Sequence, residues 1–113
     1  MGTPVSQYRQ RYDQATAADA TSVVSTIAAS GSDETVVIDR VYCSFDTASS
    51  ANPASSLTIV AGSTTLFDGF LHSDDLHPVI GPFYNAAGET VVTTMTSGGS
   101  GVAGKLNVVY HEV

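Results

Sequence analysis

The sequence predicts an all-β chain that folds as a single-domain β-sandwich of jelly-roll type, with an extended N-terminal arm. Its 113 residues are enough for one domain with one hydrophobic core. Seven or eight segments rich in β-branched and aromatic residues recur at a spacing of roughly 10–12 residues, with turn residues between them. After residue 31 no helical periodicity extends beyond two turns. These observations favour two packed antiparallel sheets.

The first 19 residues are polar, rich in Gln, Ala and Thr, and without apolar periodicity. We therefore predict that residues 1–19 form an extended arm and that residues 20–113 form the β-sandwich domain. The arm carries a small aromatic and basic cluster, which comprises Tyr8, Arg9, Arg11 and Tyr12. Arg and Tyr are enriched at binding hot spots, so these four residues are predicted to bind a partner. A disordered tail is the alternative, because chain termini are commonly disordered.

Two strands are predicted next. Residues 20–30 have the Thr, Val and Ile content of a strand, although a short helix is the rival interpretation. Residues 35–46 are the longest run with strand character, with Val41, Cys43 and Phe45 on one face. Arg40, Tyr42 and Ser44 fall on the other face. The upstream residues Val36, Val37 and Ile38 are all apolar, so either both faces are covered there or a bulge near Asp39 shifts the phase.

The second half of the chain predicts four or five further strands. Residues 47–56 are a long loop of small residues, which suggests a crossing between sheets. The strand segments are residues 57–62, 64–71, 78–84, 89–95 and 102–113. Pro78 and Pro82 lack backbone donors and favour an edge position or an irregular strand. In the last strand Leu106, Val108 and Tyr110 share one face.

Charge and composition exclude several classes of function. The net charge is −7, and residues 13–113 alone carry −9, which disfavours binding to nucleic acid. No run approaches the roughly 18 apolar residues of a membrane span, so no membrane partner is expected. Cys43 is the only cysteine, which fits a chain made in a reducing cytoplasm without an intrachain disulfide.

No catalytic residues and no cofactor are predicted, and the chain is not expected to be an enzyme. The best metal candidates are His72, Asp74, Asp75 and His77. Their side chains suit a divalent ion, but the spacing matches no established ligand set, so a solvated loop is preferred. The Gly-x-Ser-x-Gly motif of serine hydrolases does not occur. Cys43 shares the predicted inner face of Val41 and Phe45, where a thiol behaves as a small hydrophobe.

Two segments carry a resemblance to a known family. The first comprises Val-Ile-Asp-Arg-Val-Tyr-Cys-Ser-Phe, the loop that follows it, and Leu-Thr-Ile-Val-Ala-Gly. The second is the closing strand Gly-Val-Ala-Gly-Lys-Leu-Asn-Val-Val-Tyr. Residues 35–113 resemble the small β-sandwich structural proteins of tailed bacteriophages, especially head decoration (cement) proteins. The resemblance implies a protein on the outer surface of the virion capsid, often a homotrimer, that bridges capsomers by binding the major capsid protein. An N-terminal arm commonly makes those contacts, but no residue-level motif carries over.

Two alternatives belong to other classes. A carbohydrate-binding or adhesin-like module of a phage tail fibre or spike would need a groove lined with aromatic residues and a Ca²⁺ site. The sequence offers five scattered Tyr, no Trp and the 72–77 loop. A small enzyme of cupin type would need several His and a Glu clustered on strands, whereas two of the three His here lie in one loop.

Overall fold

The computed structural model describes residues 10–18, 20–47, 55–71 and 77–113, with the backbone alone for His77. These residues form eight strands and no helix. The strands are β1 (Arg11–Ala17), β2 (Val23–Ile27), β3 (Val36–Phe45), β4 (Ser55–Ala61), β5 (Thr64–Leu71), β6 (His77–Phe83), β7 (Val91–Met95) and β8 (Gly104–Glu112).

The strands form two antiparallel sheets of four strands each. The orders are β1-β8-β3-β6 and β2-β7-β4-β5. Four of the pairs join strands equally far from the two chain ends, namely β1–β8, β2–β7, β3–β6 and β4–β5. The chain thus behaves as one long hairpin that turns between β4 and β5 and wraps around itself. This winding is a jelly roll, so the predicted all-β sandwich is confirmed.

The alternating inner side chains of both sheets form one core. Its fully buried members include Ile38, Leu57, Ile59, Met95 and Leu106. The alternation holds in β4 and β7, where every second residue is buried. The last strand also follows its predicted pattern, because Leu106 and Val108 belong to the core and Tyr110 packs against it.

The bulge near Asp39, one of the two predicted alternatives, is present in β3. The pairing of β3 with both neighbours shifts register between Ile38 and Arg40. Ile38 and Val41 therefore both point into the core although they are three residues apart. Gly81 of β6 lies opposite this bulge, where an added Cβ would stand 2.5 Å from the carbonyl oxygen of Ile38. The two prolines of β6 lie in an edge strand, as predicted.

The predicted arm differs from the structure over residues 11–17. These residues form β1 and pair with β8 over their whole length, from Arg11 opposite Tyr110 to Ala17 opposite Gly104. Ala15 and Ala17 pack against the core. The predicted domain boundary at residue 20 therefore separates β1 from the sandwich to which it belongs. In a jelly roll the first strand pairs with the last. Tyr8 and Arg9 lie outside the described residues.

Candidate functional site

The outer side of the β1-β8-β3-β6 sheet is the candidate site, and it is called face A here. The register aligns its outward side chains in rows across the four strands. One row contains Tyr12, Val109, Arg40 and Ile80. The next contains Gln14, Asn107, Tyr42 and Pro78, and the third contains Thr16, Lys105 and Ser44. His111 extends the face at one end.

The first row combines residue types that are typical of binding surfaces. Tyr12 is 66% exposed on edge strand β1, and Ile80 is 64% exposed on edge strand β6. With neighbouring strands roughly 4.8 Å apart, these two side chains are about 14 Å from each other. Val109 lies between them and is only 2% exposed, so its larger neighbours cover it. A Tyr and an Arg in one such patch favour protein binding.

Charge distinguishes face A from the rest of this acidic chain. It carries Arg40 and Lys105, and neither makes an ion pair among the described residues. Asp39 is the acid nearest to Arg40 in sequence, but its carboxylate is held by Nδ1 of His111 at 2.8 Å. Asp46 lies at the rim beyond β3 and accepts a hydrogen bond from the Ala103 backbone at 2.9 Å. Face A therefore carries two cations that no described acid pairs, on a chain of net charge −7.

One hydrogen-bond donor of Arg40 has no acceptor among the described residues. This donor is Nε, which is buried. A buried donor without an acceptor is costly in a folded protein. The structure thus holds a cation at the centre of face A with one donor that no described group satisfies.

The outer side of the β2-β7-β4-β5 sheet, called face B, has a different chemistry. Its outward residues are Val24, Thr26, Val92, Thr94, Ser56, Thr58, Val60, Thr65, Asp68 and Phe70. They include no cation and one acid, Asp68, on edge strand β5. Exposed apolar groups occur on both faces, so the cations and tyrosines single out face A.

The predicted partner-binding cluster is divided by the alternation of β1. Tyr12 lies on face A, whereas Arg11 points to the other side and donates from Nη1 to Oε1 of Glu112 at 2.7 Å. The binding of a partner by Arg11 stays a prediction, as does the binding of a partner by Tyr8 and Arg9. Sequence reasoning missed Arg40 as a site residue, although the outward phase of Arg40 and Tyr42 in β3 was a usable signal.

The predicted metal candidates lie almost entirely outside the described residues. This holds for His72, Asp74 and Asp75, and only the backbone of His77 is described, at the start of β6. Within the described ranges no group of three or more metal-ligating side chains occurs. The same residues contain no helix that qualifies as a membrane span.

A shallow cleft lies at the end of the sandwich near the β4–β5 turn. It has a volume of about 140 Å³ and is lined by residues that include Thr64, Tyr84, Asn85 and Glu89. Tyr84 is 67% exposed beside it. One exposed aromatic ring next to polar side chains is the kind of surface on which a sugar can stack.

No protein-family model and no curated protein matches the chain. Among solved structures, the crystal structure of FlhE aligns with 90% of this chain and 97% of its own, at 12% identity and a TM-score of 0.45. A chain of the cyanophage Pam1 capsid asymmetric unit aligns over 97% and 91%, at 12% identity and 0.46. The Podospora anserina GH26-CBM35 β-(1,4)-mannanase aligns over 85% and 20%, at 10% identity and 0.44. These likenesses concern the fold.

Proposed function

We propose that this chain is a virion structural protein, a decoration (cement) protein that binds the outer surface of a phage head and stabilises it by bridging capsomers. The observation that carries the proposal is face A, where Tyr12, Arg40 and Ile80 are aligned on one row of an otherwise acidic molecule. The resemblance of residues 35–113 to decoration proteins supports it. The major capsid protein is the proposed partner, and the capsid surface of the virion is the proposed location.

A flat sheet face is suited to a lattice of repeated subunits. Four strands present rigid side chains at fixed spacings, so binding does not require much ordering of the protein. Residues 1–9 precede β1, the edge strand that carries Tyr12. In a proposed homotrimer, three copies of face A and of residues 1–9 would engage neighbouring capsomers together. Such multivalency raises the effective concentration at the capsid and stabilises the contacts between capsomers.

The proposal is tested with heads that lack their decoration protein. Purified chain is mixed with such heads, and the bound fraction is measured by co-sedimentation. The face A variant Tyr12→Ala/Ile80→Ser is compared with the face B variant Val24→Ser/Thr94→Ala, which changes two side chains on the opposite surface. We expect wild type and the face B variant to bind, and the face A variant to lose at least about tenfold in affinity. Equal loss in both variants, or no binding by wild type, overturns the proposal.

Heat stability of the heads provides the functional measurement. A cement protein raises the temperature at which heads release their contents, because it binds the assembled lattice and not the separated subunits. We expect saturating wild-type chain to raise this temperature and the face A variant to need higher concentrations for the same rise. Binding without any rise would indicate a surface protein that does not bridge capsomers.

Saccharide binding is a second candidate function, which the cleft beside Tyr84 favours. An exposed ring next to Asn85 and Glu89 offers a stacking surface with hydrogen-bonding groups. A glycan array probed with wild type and with Tyr84→Ala tests it. Binding of a glycan that Tyr84→Ala removes would support an adhesin-like module, and the absence of any bound glycan contradicts it.

A further inference from the structure

We propose that Arg40 is the carboxylate-binding anchor of face A and that its ligand is an Asp or Glu side chain on an acidic segment of the capsid protein. The inference rests on the proposed function and adds the chemistry of the partner. Tyr12 and Ile80 then supply apolar contact on either side of this ion pair. The argument follows from the position of Arg40, from its missing partner and from the charges around it.

Arg40 is held at the centre of the sheet. It lies in β3, which is hydrogen-bonded to β8 on one side and to β6 on the other. It is level with Val109 and Ile80 in the two registers, directly after the bulge at Ile38. A guanidinium that emerges from the middle of a rigid sheet loses little conformational freedom on binding, unlike one on a loop or a chain end.

The donors of Arg40 are not used up inside the chain. Nε is buried without an acceptor, and no ion pair to Arg40 occurs among the described residues. The neighbouring carboxylate of Asp39 is engaged by His111 at 2.8 Å. A carboxylate from outside can accept two N–H bonds from the terminal Nη1 and Nη2 groups of a guanidinium, whereas the buried Nε is shielded from an external ligand. Binding would therefore give acceptors to the terminal donors of Arg40, which make no hydrogen bond among the described residues.

Charge decides between the possible occupants. Residues 1–9 of this chain carry Arg9 and no acid, so they would bring like charge to Arg40 and Lys105. A phosphate backbone carries a charge at every nucleotide, so the net charge of −7 would repel it more strongly than a protein segment with a few carboxylates. A purely apolar surface would bury the guanidinium without an acceptor. An acidic protein segment satisfies both the charge and the hydrogen-bonding geometry, and a second copy of this acidic chain is the occupant that the test must separate from it.

The first experiment measures binding to heads that lack their decoration protein. Arg40→Lys keeps the charge and loses the fork, and Arg40→Gln loses both. Lys105→Gln removes the other cation of face A, and Thr94→Ala on face B is the matched control. All five proteins are first shown to have similar melting temperatures. We expect Arg40→Gln to bind at least about tenfold more weakly, Arg40→Lys to fall between it and wild type, Lys105→Gln to weaken binding less than Arg40→Gln does, and Thr94→Ala to change binding less than threefold. Equal effects of Lys105→Gln and Arg40→Gln would show general charge attraction and overturn the proposal.

A second experiment is independent of heads. The Nε–H signal of Arg40 is followed by ¹⁵N NMR while a Gly-Glu repeat peptide is added, with a Gly-Gln repeat peptide as the control. We expect a shift of the Arg40 signal with the acidic peptide alone, and its loss in Arg40→Lys. No shift overturns carboxylate recognition even if heads are bound, whereas a shift without head binding overturns the proposed function and leaves the chemistry of Arg40 standing.

Light scattering measures the mass of each variant in solution. It tests whether a second copy of this chain contacts Arg40. We expect wild type and Arg40→Gln to have the same mass at every concentration tested. A wild-type oligomer that dissociates in Arg40→Gln would place Arg40 at a contact between copies of this chain and would overturn the assignment to the capsid protein.

Discussion

Arg11 at the start of β1 and Glu112 at the end of β8 form an ion pair, with 2.7 Å between Nη1 and Oε1. The same carboxylate accepts hydrogen bonds from the hydroxyl and the backbone N–H of Ser30, at 2.6 and 2.8 Å. Glu112 is only 4% exposed. Because a buried carboxylate must be paired and hydrogen-bonded, this cluster ties the first strand, the last strand and the segment after β2 together.

The first prediction concerns this cluster. Glu112→Gln removes the charge that Arg11 and Ser30 surround, so we expect the free energy of unfolding to fall by about 1–3 kcal/mol. Urea denaturation monitored by circular dichroism measures it. Asp68→Asn on face B is the matched control, because it removes an exposed acid and should change stability by less than about 0.5 kcal/mol. Similar values for the two variants would show that the cluster does not stabilise the fold.

The pH dependence of stability is the second prediction. Burial alone would raise the pKa of Glu112, but the hydrogen bonds from Ser30 and the charge of Arg11 outweigh it, and the pKa lies below its usual 4.5. A depressed pKa in the folded state contributes stability that is complete above the unfolded value and is lost as pH falls through the folded one. We expect the free energy of unfolding of wild type to decline below about pH 4.5 more steeply than that of Glu112→Gln. If the free energies of unfolding of wild type and Glu112→Gln decline equally with falling pH, the predicted direction of the pKa shift is wrong.

Truncation tests the role of β1. Removal of residues 1–9 leaves all eight described strands in place, so we expect the stability to stay within about 0.5 kcal/mol of wild type. Removal of residues 1–17 also takes away the partner of β8, the core contacts of Ala15 and Ala17, and Arg11. We expect a loss of at least about 3 kcal/mol in urea denaturation. If the chain without residues 1–17 is as stable as wild type, β1 does not stabilise the sandwich and the prediction is wrong.

Gly81 is predicted to be intolerant of any side chain. An added Cβ would stand 2.5 and 3.0 Å from the carbonyl oxygens of Ile38 and Asp39, and these are backbone atoms that cannot rotate away. We expect Gly81→Ala to lower the free energy of unfolding by about 2 kcal/mol or more. Gly31→Ala is the control, because the nearest atom to its added Cβ is Cγ of Glu34 at an ordinary 3.8 Å. If Gly81→Ala and Gly31→Ala have equal free energies of unfolding, the backbone at the bulge shifts to accommodate the added Cβ.

Cys43 provides the last prediction. Burial raises the pKa of its thiol to about 11, and its side chain belongs to the core. Because only the thiolate reacts, we expect alkylation by iodoacetamide at pH 8 to be at least about 100-fold slower in the native protein than in urea. Mass spectrometry over time measures the modified fraction. Rapid labelling of the native protein would contradict a closed core around β3.

Several local features of the fold could be predicted from the sequence. The alternation in β3, β4 and β8 identified which side faces the core, because adjacent side chains in a strand point to opposite faces. For the three successive apolar residues from Val36, coverage on both faces or a bulge near Asp39 was predicted. The structure has both, because all three side chains are buried and the register shifts after Ile38. Pro78 and Pro82 predicted an edge position or an irregular strand because proline has no backbone N–H to donate, and β6 is an edge strand.

The first strand was missed for a physical reason. Residues 11–17 direct only the small side chains of Ala15 and Ala17 into the apolar core, so their sequence has the polarity of an arm. Their strand structure comes from hydrogen bonds to β8, about ninety residues further along the chain. The same distance explains why the contact between Arg11 and Glu112 was not predicted, since it depends on which strands become neighbours.

The sequence by itself determined an all-β chain with one core, an acidic surface and a central strand with Arg40 and Tyr42 outward. These properties depend on composition and on the period of two, which act between near neighbours along the chain. Only the tertiary structure decided that β1 closes the jelly roll and that Tyr12, Arg40 and Ile80 share a row. Their order across the sheet depends on strand pairing between distant segments, which local sequence patterns do not encode.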